Sequence, residues 1–360
     1  MPTFDIIKSH NPKSTFRIES VKGTYDLSSN KIEQRFIGNI DIDNNWQIGL
    51  ITGHSGTGKT TIAKQLFNDI LIKEFEYKSE SILDDMPQNK TVEEICKTFN
   101  SVGFSSPPNW LKPYSVLSNG EKMRVDLANA ILQNNEMFAF DEFTSVVDRE
   151  VAKIGSYAMQ KAIRKTNKKF IAITCHKDVE DWLLPDWTFD TNDMTFYDNR
   201  EQKKNRPNLQ FRIYETKEKN KYWRMFSKYH YLSHNHNNSA RVFVATLNDN
   251  ICGFCSVLPF PHPILKNHYK EHRTVIMPDY QGIGLGSILS NNVANILKEI
   301  GKGFISTSSN PSFINARQKD KKWIITRIGR TSSGSGKIQN KNKKNSTSSN
   351  RITVSFKYIG

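Results

Sequence analysis

Apolar and polar positions come in alternating blocks along the first 200 residues. The run WQIGLIT at 46–52 reads as a buried strand, and residues 60–72 continue with helical spacing. Short apolar runs at 138–140 and 170–174 predict two more strands, separated by helical stretches at 121–132 and 150–166. Strand–helix alternation of this kind predicts an α/β sheet. The polar, charged stretch NREQKKNRPNLQ at 199–210 carries Pro207 and reads as a linker, leaving domains at 1–198 and 211–360. A second α/β pattern follows it. Runs at 241–247 and 251–257 predict paired strands about the turn 248–250, with a strand at 274–277, a helix at 288–300 and a strand at 304–307. Residues 331–350 hold one aliphatic residue, Ile338, and predict a long, basic, flexible loop before an alternating strand at 352–358.

Length agrees with this division, since 360 residues at about 150 per domain gives roughly two. No apolar run reaches the ~18 residues of a membrane helix, and the first residues, MPTFDIIKSHNPK, carry no apolar signal core. Cys96, Cys175, Cys252 and Cys255 are too scattered for a disulfide framework, so the expectation is a cytoplasmic protein with no membrane partner. Charge separates the halves. Residues 1–200 carry 24 Lys and Arg against 28 Asp and Glu, whereas residues 201–360 carry 27 against 8. A surplus that large predicts a polyanionic partner, most simply nucleic acid, with a solubility tail as the bland alternative.

The segment Gly53-His-Ser55-Gly56-Thr-Gly58-Lys59-Thr60 fits G-x-x-x-x-G-K-[ST] between a strand and a helix. Backbone N–H groups of such a loop, with the helix N-terminus, cradle phosphate oxygens. Lys59 would reach the β- and γ-phosphates of ATP, Thr61 would continue the contact, and Thr60 would hold Mg²⁺. The strand at 138–140 ends in two acids. Asp141 would coordinate Mg²⁺ through water and Glu142 would polarise the attacking water.

Further motifs in this half resemble ABC-type ATPases. Leu117-Ser118-Asn119-Gly120-Glu121 is similar to the ABC signature, Ser145-Val-Val-Asp148 to the D-loop, and His176 to the switch histidine. Asn119 stands where the family has a second glycine. The resemblance implies a P-loop ABC domain over 1–198 and an ATP-dependent homodimer. In that dimer Ser118 and Gly120 of one copy touch the γ-phosphate bound to the other, and His176 senses it. The Q-loop position stays open among Gln88, Asp84 and Asp85. Tyr25 and Phe36 are candidates to stack on adenine, each equally readable as core.

In the second half, Gln281-Gly282-Ile-Gly284-Leu-Gly286 lies between a predicted strand and a predicted helix. This segment resembles the [QR]-x-x-G-x-[GA] motif of GNAT-type acyltransferases. That likeness implies a GNAT-like α/β domain, with Gln281, Gly282, Gly284 and Gly286 around the pyrophosphate of acetyl-CoA or another acyl-CoA. The chain lacks a tyrosine between Tyr280 and Tyr358, where many of these enzymes carry a general acid. The segment around His230 and Tyr231 resembles the His-Tyr pair of Mom-like GNAT-fold enzymes, which modify adenine in DNA. By that likeness His230 and Tyr231 match the catalytic pair; physically His230 could act as a base and Tyr231 as an acid, and the other reading makes both core aromatics of a first helix.

Six of the nine histidines fall at 230, 234, 236, 262, 268 and 272. The pairs His230/His234 and His268/His272 have i, i+4 spacing, which on a helix would set two imidazoles side by side for a transition metal. In a polar loop they are simply surface residues. Cys252 and Cys255 sit in an apolar run and read as packing. Arg241, Arg273, Lys321, Lys322, Arg327 and Arg330, with Lys341, Lys343 and Lys344, are candidates for a phosphate track, and Trp323 and Tyr269 for base stacking.

Overall fold

The computed structural model describes residues 3–27, 32–41, 43–72, 74–201, 207–230, 235–330 and 352–360. It has fourteen strands among these residues. They are β1 (Thr3–His10), β2 (Ile32–Asn39), β3 (Ile48–Thr52), β4 (Met137–Phe140), β5 (Lys169–Thr174), β6 (Trp187–Asp190) and β7 (Thr195–Asp198), then β8 (Phe211–Thr216), β9 (Arg241–Leu247), β10 (Asn250–Phe260), β11 (His268–Ile276), β12 (Gly303–Ser308), β13 (Trp323–Arg330) and β14 (Ile352–Tyr358). The chain divides into two units, Met1–Glu76 with Asn129–Pro207, and Tyr77–Ala128 with Asn208–Gly360.

The first unit is built on a five-stranded sheet of order β4-β5-β3-β6-β7, with β4, β5, β3 and β6 parallel and β7 antiparallel. Every residue of β3 and β6 is buried, and β3 accordingly reads as a near-continuous apolar run rather than an alternating one. The helix Arg149–Ile163 opens with Asp148 accepting the Val151 N–H at 3.0 Å, and lays Ile154, Ala158 and Met159 into the core. The helix after β3 is shorter than its periodicity predicts. It spans Lys59–Phe67 and tightens into a single turn of 3₁₀ helix at Asn68–Ile70. A separate antiparallel pair, β1 with β2, packs by Phe4 edge-on to Phe189 at 5.7 Å.

The second unit holds a seven-stranded sheet of order β13-β14-β12-β11-β10-β9-β8, antiparallel except between β11 and β12. The strands predicted at 241–247 and 352–358 form over those residues. The one predicted at 274–277 belongs to a longer strand that begins at His268. The helix Leu285–Glu299 buries Leu289, Val293 and Leu297. Trp223, Phe226, Val242, Val244 and Phe254 form one core cluster. The helices of Tyr77–Ala128 belong to this unit rather than to the one carrying the phosphate loop.

Three expectations are corrected here. His268 and His272 lie on strand β11, where i, i+4 spacing spans about 13 Å instead of one helical turn, so they do not form a metal-binding pair. Trp323 is buried against Phe304, Phe356 and Tyr358, with its indole N–H donated to Asn291, and is not a surface for stacking a base. Phe36 is buried beneath Gly58, whereas Tyr25 is exposed. Cys252 and Cys255 are buried in β10, and burial pushes both thiols up, Cys252 to about 12. Tyr231, His234 and the loop predicted at 331–350 lie outside the described residues.

Candidate functional sites

In the first unit, Gly58 has φ 90° and forms the left-handed cap of the Lys59–Phe67 helix. Gly53 and Gly56 also have positive φ, at 148° and 85°. The loop 53–58 is therefore a backbone that glycine permits and other residues resist. Lys59 is buried and its Nζ donates to the carbonyls of Gly53 at 2.9 Å and His54 at 2.6 Å, so the ammonium crosses the loop. The loop is pinned from outside. Thr57 Oγ1 lies 2.5 Å from Thr191 Oγ1, which donates to the Thr52 carbonyl, and Asn192 Oδ1 accepts the His54 N–H at 2.9 Å. Ser55, Thr60 and Thr61 are exposed or half-buried along its rim.

Asp141 and Glu142 follow β4, and Glu142 has φ 53°, a left-handed backbone at a non-glycine residue. Asp141 Oδ1 accepts the Glu142 N–H at 2.9 Å. His176 follows β5, the strand between β4 and β3, and its Nδ1 lies 3.4 Å from Thr144 Oγ1. Burial, then the nearby Arg149 charge, lower the His176 pKa, opposed by Glu142. A neutral imidazole beside Glu142 can accept or donate one hydrogen bond. The phosphate loop, Thr60 and the acids at the ends of parallel strands fit ATP with Mg²⁺, by Lys59, the loop amides and the helix N-terminus.

Ser118 caps the helix Asn119–Leu132, whose first turns belong to the second unit. Its N–H and its hydroxyl both donate to Glu121 Oε2 at 3.0 Å, while the Glu121 N–H returns to Ser118 Oγ at 3.4 Å. This is a capping box. Glu121 Oε1 accepts Asn109 Nδ2 at 2.6 Å. Gly120 is buried. Of the three residues left open for the Q-loop, Asp85 Oδ1 accepts the N–H groups of Lys78 and Ser79, and Gln88 donates to the carbonyls of Asp84 and Met86.

The second site is a cavity of about 350 Å³ in the large sheet. Strands β11 and β12 pair only from His268 to Lys270 against Gly303 to Ile305, and then part. Residues 271–276 of β11 consequently have no ladder partner on that side, and the cavity fills the fork. Gly282, Gly284 and Gly286 border it. Gly284 has φ 97° and caps the Leu285–Glu299 helix, and Gly282 has φ 89°. Gln281 also lines the cavity, but its side chain is engaged with protein, Nε2 donating to the Ile276 carbonyl at 2.8 Å and Oε1 accepting the Ser105 N–H at 2.9 Å. A glycine-lined helix N-terminus at the mouth of a forked sheet fits the pyrophosphate and pantetheine of an acyl-CoA.

The floor carries a pair that sequence reading missed. Glu271 and Arg317 are buried and joined at 2.7 Å, with Thr274 donating to Glu271 at 2.5 Å and Ser306 bonded to both. Burial alone would raise the Glu271 carboxyl, but the Arg317 charge and these donors outweigh it and hold the group below its ordinary value. His272, on the same strand, also lines the cavity. Burial, then Arg273 and His236, bring its pKa down to about 4. His230 is buried, edge-on to Trp223 at 5.9 Å, and lines the cavity with Tyr229. Tyr280 borders it as well. No sequence signal pointed to Glu271, because it lies in the polar run before the strand predicted at 274–277. His236 stands beside His272 at 5.7 Å, and no three His, Cys, Asp or Glu side chains among the described residues gather as a metal site.

Both halves of the chain are similar to known proteins. The model of the acetyltransferase (GNAT) family matches residues 176–316, which includes the cavity loop and most of its sheet. The energy-coupling factor transporter ATP-binding protein EcfA1 of Leuconostoc mesenteroides subsp. mesenteroides is 23% identical over 220 residues, 49% of this chain and 77% of that protein. The mRNA export factor elf1 of Schizosaccharomyces pombe is 30% identical over 122 residues, 27% of this chain, and the match spans only 11% of elf1. A Bacillus subtilis acetyltransferase solved with CoA is 13% identical at TM-score 0.32, over 42% of this chain and 99% of that one. The chain is thus similar to the GNAT family over residues 176–316 and, at low identity, to ABC-type ATP-binding proteins in its N-terminal half. No helix of the described residues is long and apolar enough to cross a membrane.

Proposed function

We propose that this chain is an ATP-hydrolysing enzyme that pairs with a second copy on ATP and transfers an acyl group from acyl-CoA to an amino group of a nucleic-acid base, with DNA the favoured substrate. The forked cavity bordered by Gly282 and Gly284 carries the transferase half of this reading. In the transfer, the amino nitrogen attacks the thioester carbonyl, the N–C bond forms, the C–S bond breaks, and the nitrogen's proton passes to the departing thiolate. The Gly282 and Gly284 backbone would orient the pyrophosphate, and the open edge of β11 would align the pantetheine arm. His230, lining the cavity, is the candidate base, and Tyr231 the candidate acid. Lys59 would neutralise the β- and γ-phosphates of ATP, Thr60 and Asp141 would hold Mg²⁺, and Glu142 would orient the attacking water in reach of His176.

The nucleic-acid target rests on charge. Residues 201–360 carry 27 Lys and Arg against 8 Asp and Glu, and Lys321, Lys322, Arg327 and Arg330 are exposed along one edge of the sheet. A set of cations like this binds phosphates with a steep salt dependence. Purified protein incubated with duplex DNA, ATP, Mg²⁺ and acetyl-CoA should give a nucleoside of increased mass after digestion, lost in Gly284→Asp and Tyr231→Phe. Unmodified nucleosides with acetylated protein or small amine would replace the base with another acceptor. Unmodified nucleosides with DNA-stimulated ATP hydrolysis would reduce the GNAT-like domain to a binding module.

A further inference from the structure

The helices of Tyr77–Ala128 carry the signature-like Ser118 at one end and border the acyl-CoA cavity at the other. Asn100, Ser105 and Pro107 line that cavity together with Gly282 and Gly284. Three contacts bind this segment to the glycine loop. Ser105 donates its N–H to Gln281 Oε1 at 2.9 Å, and Arg124 donates from Nη2 to the Asp279 carbonyl at 3.1 Å. Gly103, at φ 88°, approaches so closely that a Cβ there would lie 2.7 Å from the Gln281 carbonyl oxygen. Gln281 in turn holds the end of β11 through the Ile276 carbonyl. The loop is therefore braced from outside its own domain core.

The brace leads back to Ser118. Glu121 divides its carboxylate, giving Oε2 to the N–H and hydroxyl of Ser118 and Oε1 to Asn109 Nδ2. Asn109 lies in the short Pro107–Trp110 helix, two residues beyond the cavity-lining Pro107. Arg124 stands on the same helix as Glu121, about one turn further on. A phosphate oxygen that takes the N–H and hydroxyl of Ser118 must displace Glu121 from both. Glu121 then holds only Asn109, and its carboxylate, repelled by the phosphate, draws Asn109 and the segment 105–109 away from Gln281.

We infer that Ser105, Asn109, Glu121 and Arg124 are positioning residues of the acyl-CoA site, and that nucleotide phosphate engaged at Ser118 lowers the affinity of that site for acyl-CoA. The inference rests on the proposed function, since it needs both ligands to bind. Its physical basis is differential contact. Phosphate at Ser118 favours the released arrangement of Glu121, acyl-CoA favours the braced loop, and two ligands that prefer opposite states of one element weaken each other reciprocally.

The test is isothermal titration of acetyl-CoA into the full chain without nucleotide and with saturating ATP and Mg²⁺, the latter on Glu142→Gln so that ATP persists. The dissociation constant should rise at least about fivefold with ATP, the lower end of ordinary coupling. Saturating acetyl-CoA should weaken ATP by the same factor. Gln281→Met, which removes the acceptor for Ser105, and Gly103→Ala, which forces the segment off the loop, should each bring that ratio toward one while ATP affinity stays unchanged. Binding of both ligands with a ratio within about twofold, or a tightening by ATP, overturns the inference and leaves the proposed function standing. A ratio that persists in both variants overturns the assignment of the positioning residues. Failure of either ligand to bind the wild-type chain overturns the proposed function itself, and the coupling with it.

Discussion

Arg317 Nη2 lies 2.7 Å from Glu271 Oε2 at the floor of the cavity, with the two side chains 3% and 7% exposed. Arg317 also donates to Ser306 at 2.7 Å and Ser290 at 2.9 Å, and its guanidinium stacks over Trp323 at 4.5 Å. Truncating one member strands the other as a buried charge. Arg317→Met should cost about 3–5 kcal/mol, and Glu271→Leu a similar amount. The double variant Glu271→Leu/Arg317→Met should recover most of that loss, since no charge is left unpaired. Urea unfolding of the four proteins measures it. Additive losses in the double variant would mean the two side chains do not act as a pair.

The cavity also predicts a pH dependence of stability. His272 is held at about 4 in the folded chain against an ordinary value of 6.5. Between those values the unfolded chain binds the proton and the folded chain does not, so stability falls as pH drops from 6.5 toward 4. His236 and His176 are lowered too and act in the same direction. Glu271 is lowered from 4.5, and its contribution is lost only as pH falls below that range. Urea midpoints taken between pH 7.5 and pH 5 should thus decline in the wild type and decline less in His272→Gln. Parallel slopes would remove His272 from the account.

Chemistry that demands contiguous residues was readable from the chain. The loop 53–60 and the loop 281–286 each sit between a strand and a helix, as their spacing predicted, because cradling a phosphate requires that order locally. Strands β9 and β14 were readable to the residue from their apolar and alternating runs. The start of β11 was not, because Lys270, Glu271, His272 and Arg273 are polar and say nothing of a strand. They belong to one because the segment pairs with β10, while Arg317, 46 residues later, neutralises Glu271. The grouping of Tyr77–Ala128 with the second unit was equally hidden. It rests on Ser105 with Gln281 and Arg124 with Asp279, 176 and 155 residues apart, where a main-chain atom is one partner and leaves no trace in residue type.

Lys59 and Glu142 should separate binding from hydrolysis. Lys59 Nζ crosses the loop to two carbonyls, so Lys59→Ala removes the cation on which a triphosphate would settle. That variant should lose ATP binding and hydrolysis together. Glu142→Gln keeps a polar group of equal size and should retain binding while slowing hydrolysis about 10²-fold or more, the usual share of a residue that handles a reacting proton. Fluorescent ATP titration and phosphate release measure the two. Hydrolysis unchanged in either variant would reject the first site as an ATPase centre.

Gly58 and Gly284 end the two loops in one conformation, φ 90° and ψ 7° against φ 97° and ψ 10°, each as the left-handed cap of the helix that follows. A side chain is strained in both places, at about 1–2 kcal/mol from backbone alone. The surroundings differ. At Gly58 a Cβ would stand 2.4 Å from the Phe36 ring, itself buried in the core with Phe67 and Trp187, so the ring must move or the loop must open. Gly58→Ala should therefore lower the unfolding midpoint of the chain as well as its affinity for ATP. Gly284 borders the cavity, on the side where acyl-CoA would lie. Gly284→Ala should weaken acetyl-CoA binding at least tenfold with a smaller stability loss than Gly58→Ala. Titration of each ligand alongside urea unfolding separates the two effects. Equal stability losses with acetyl-CoA affinity intact would mean that Gly284 serves only to turn the chain into its helix.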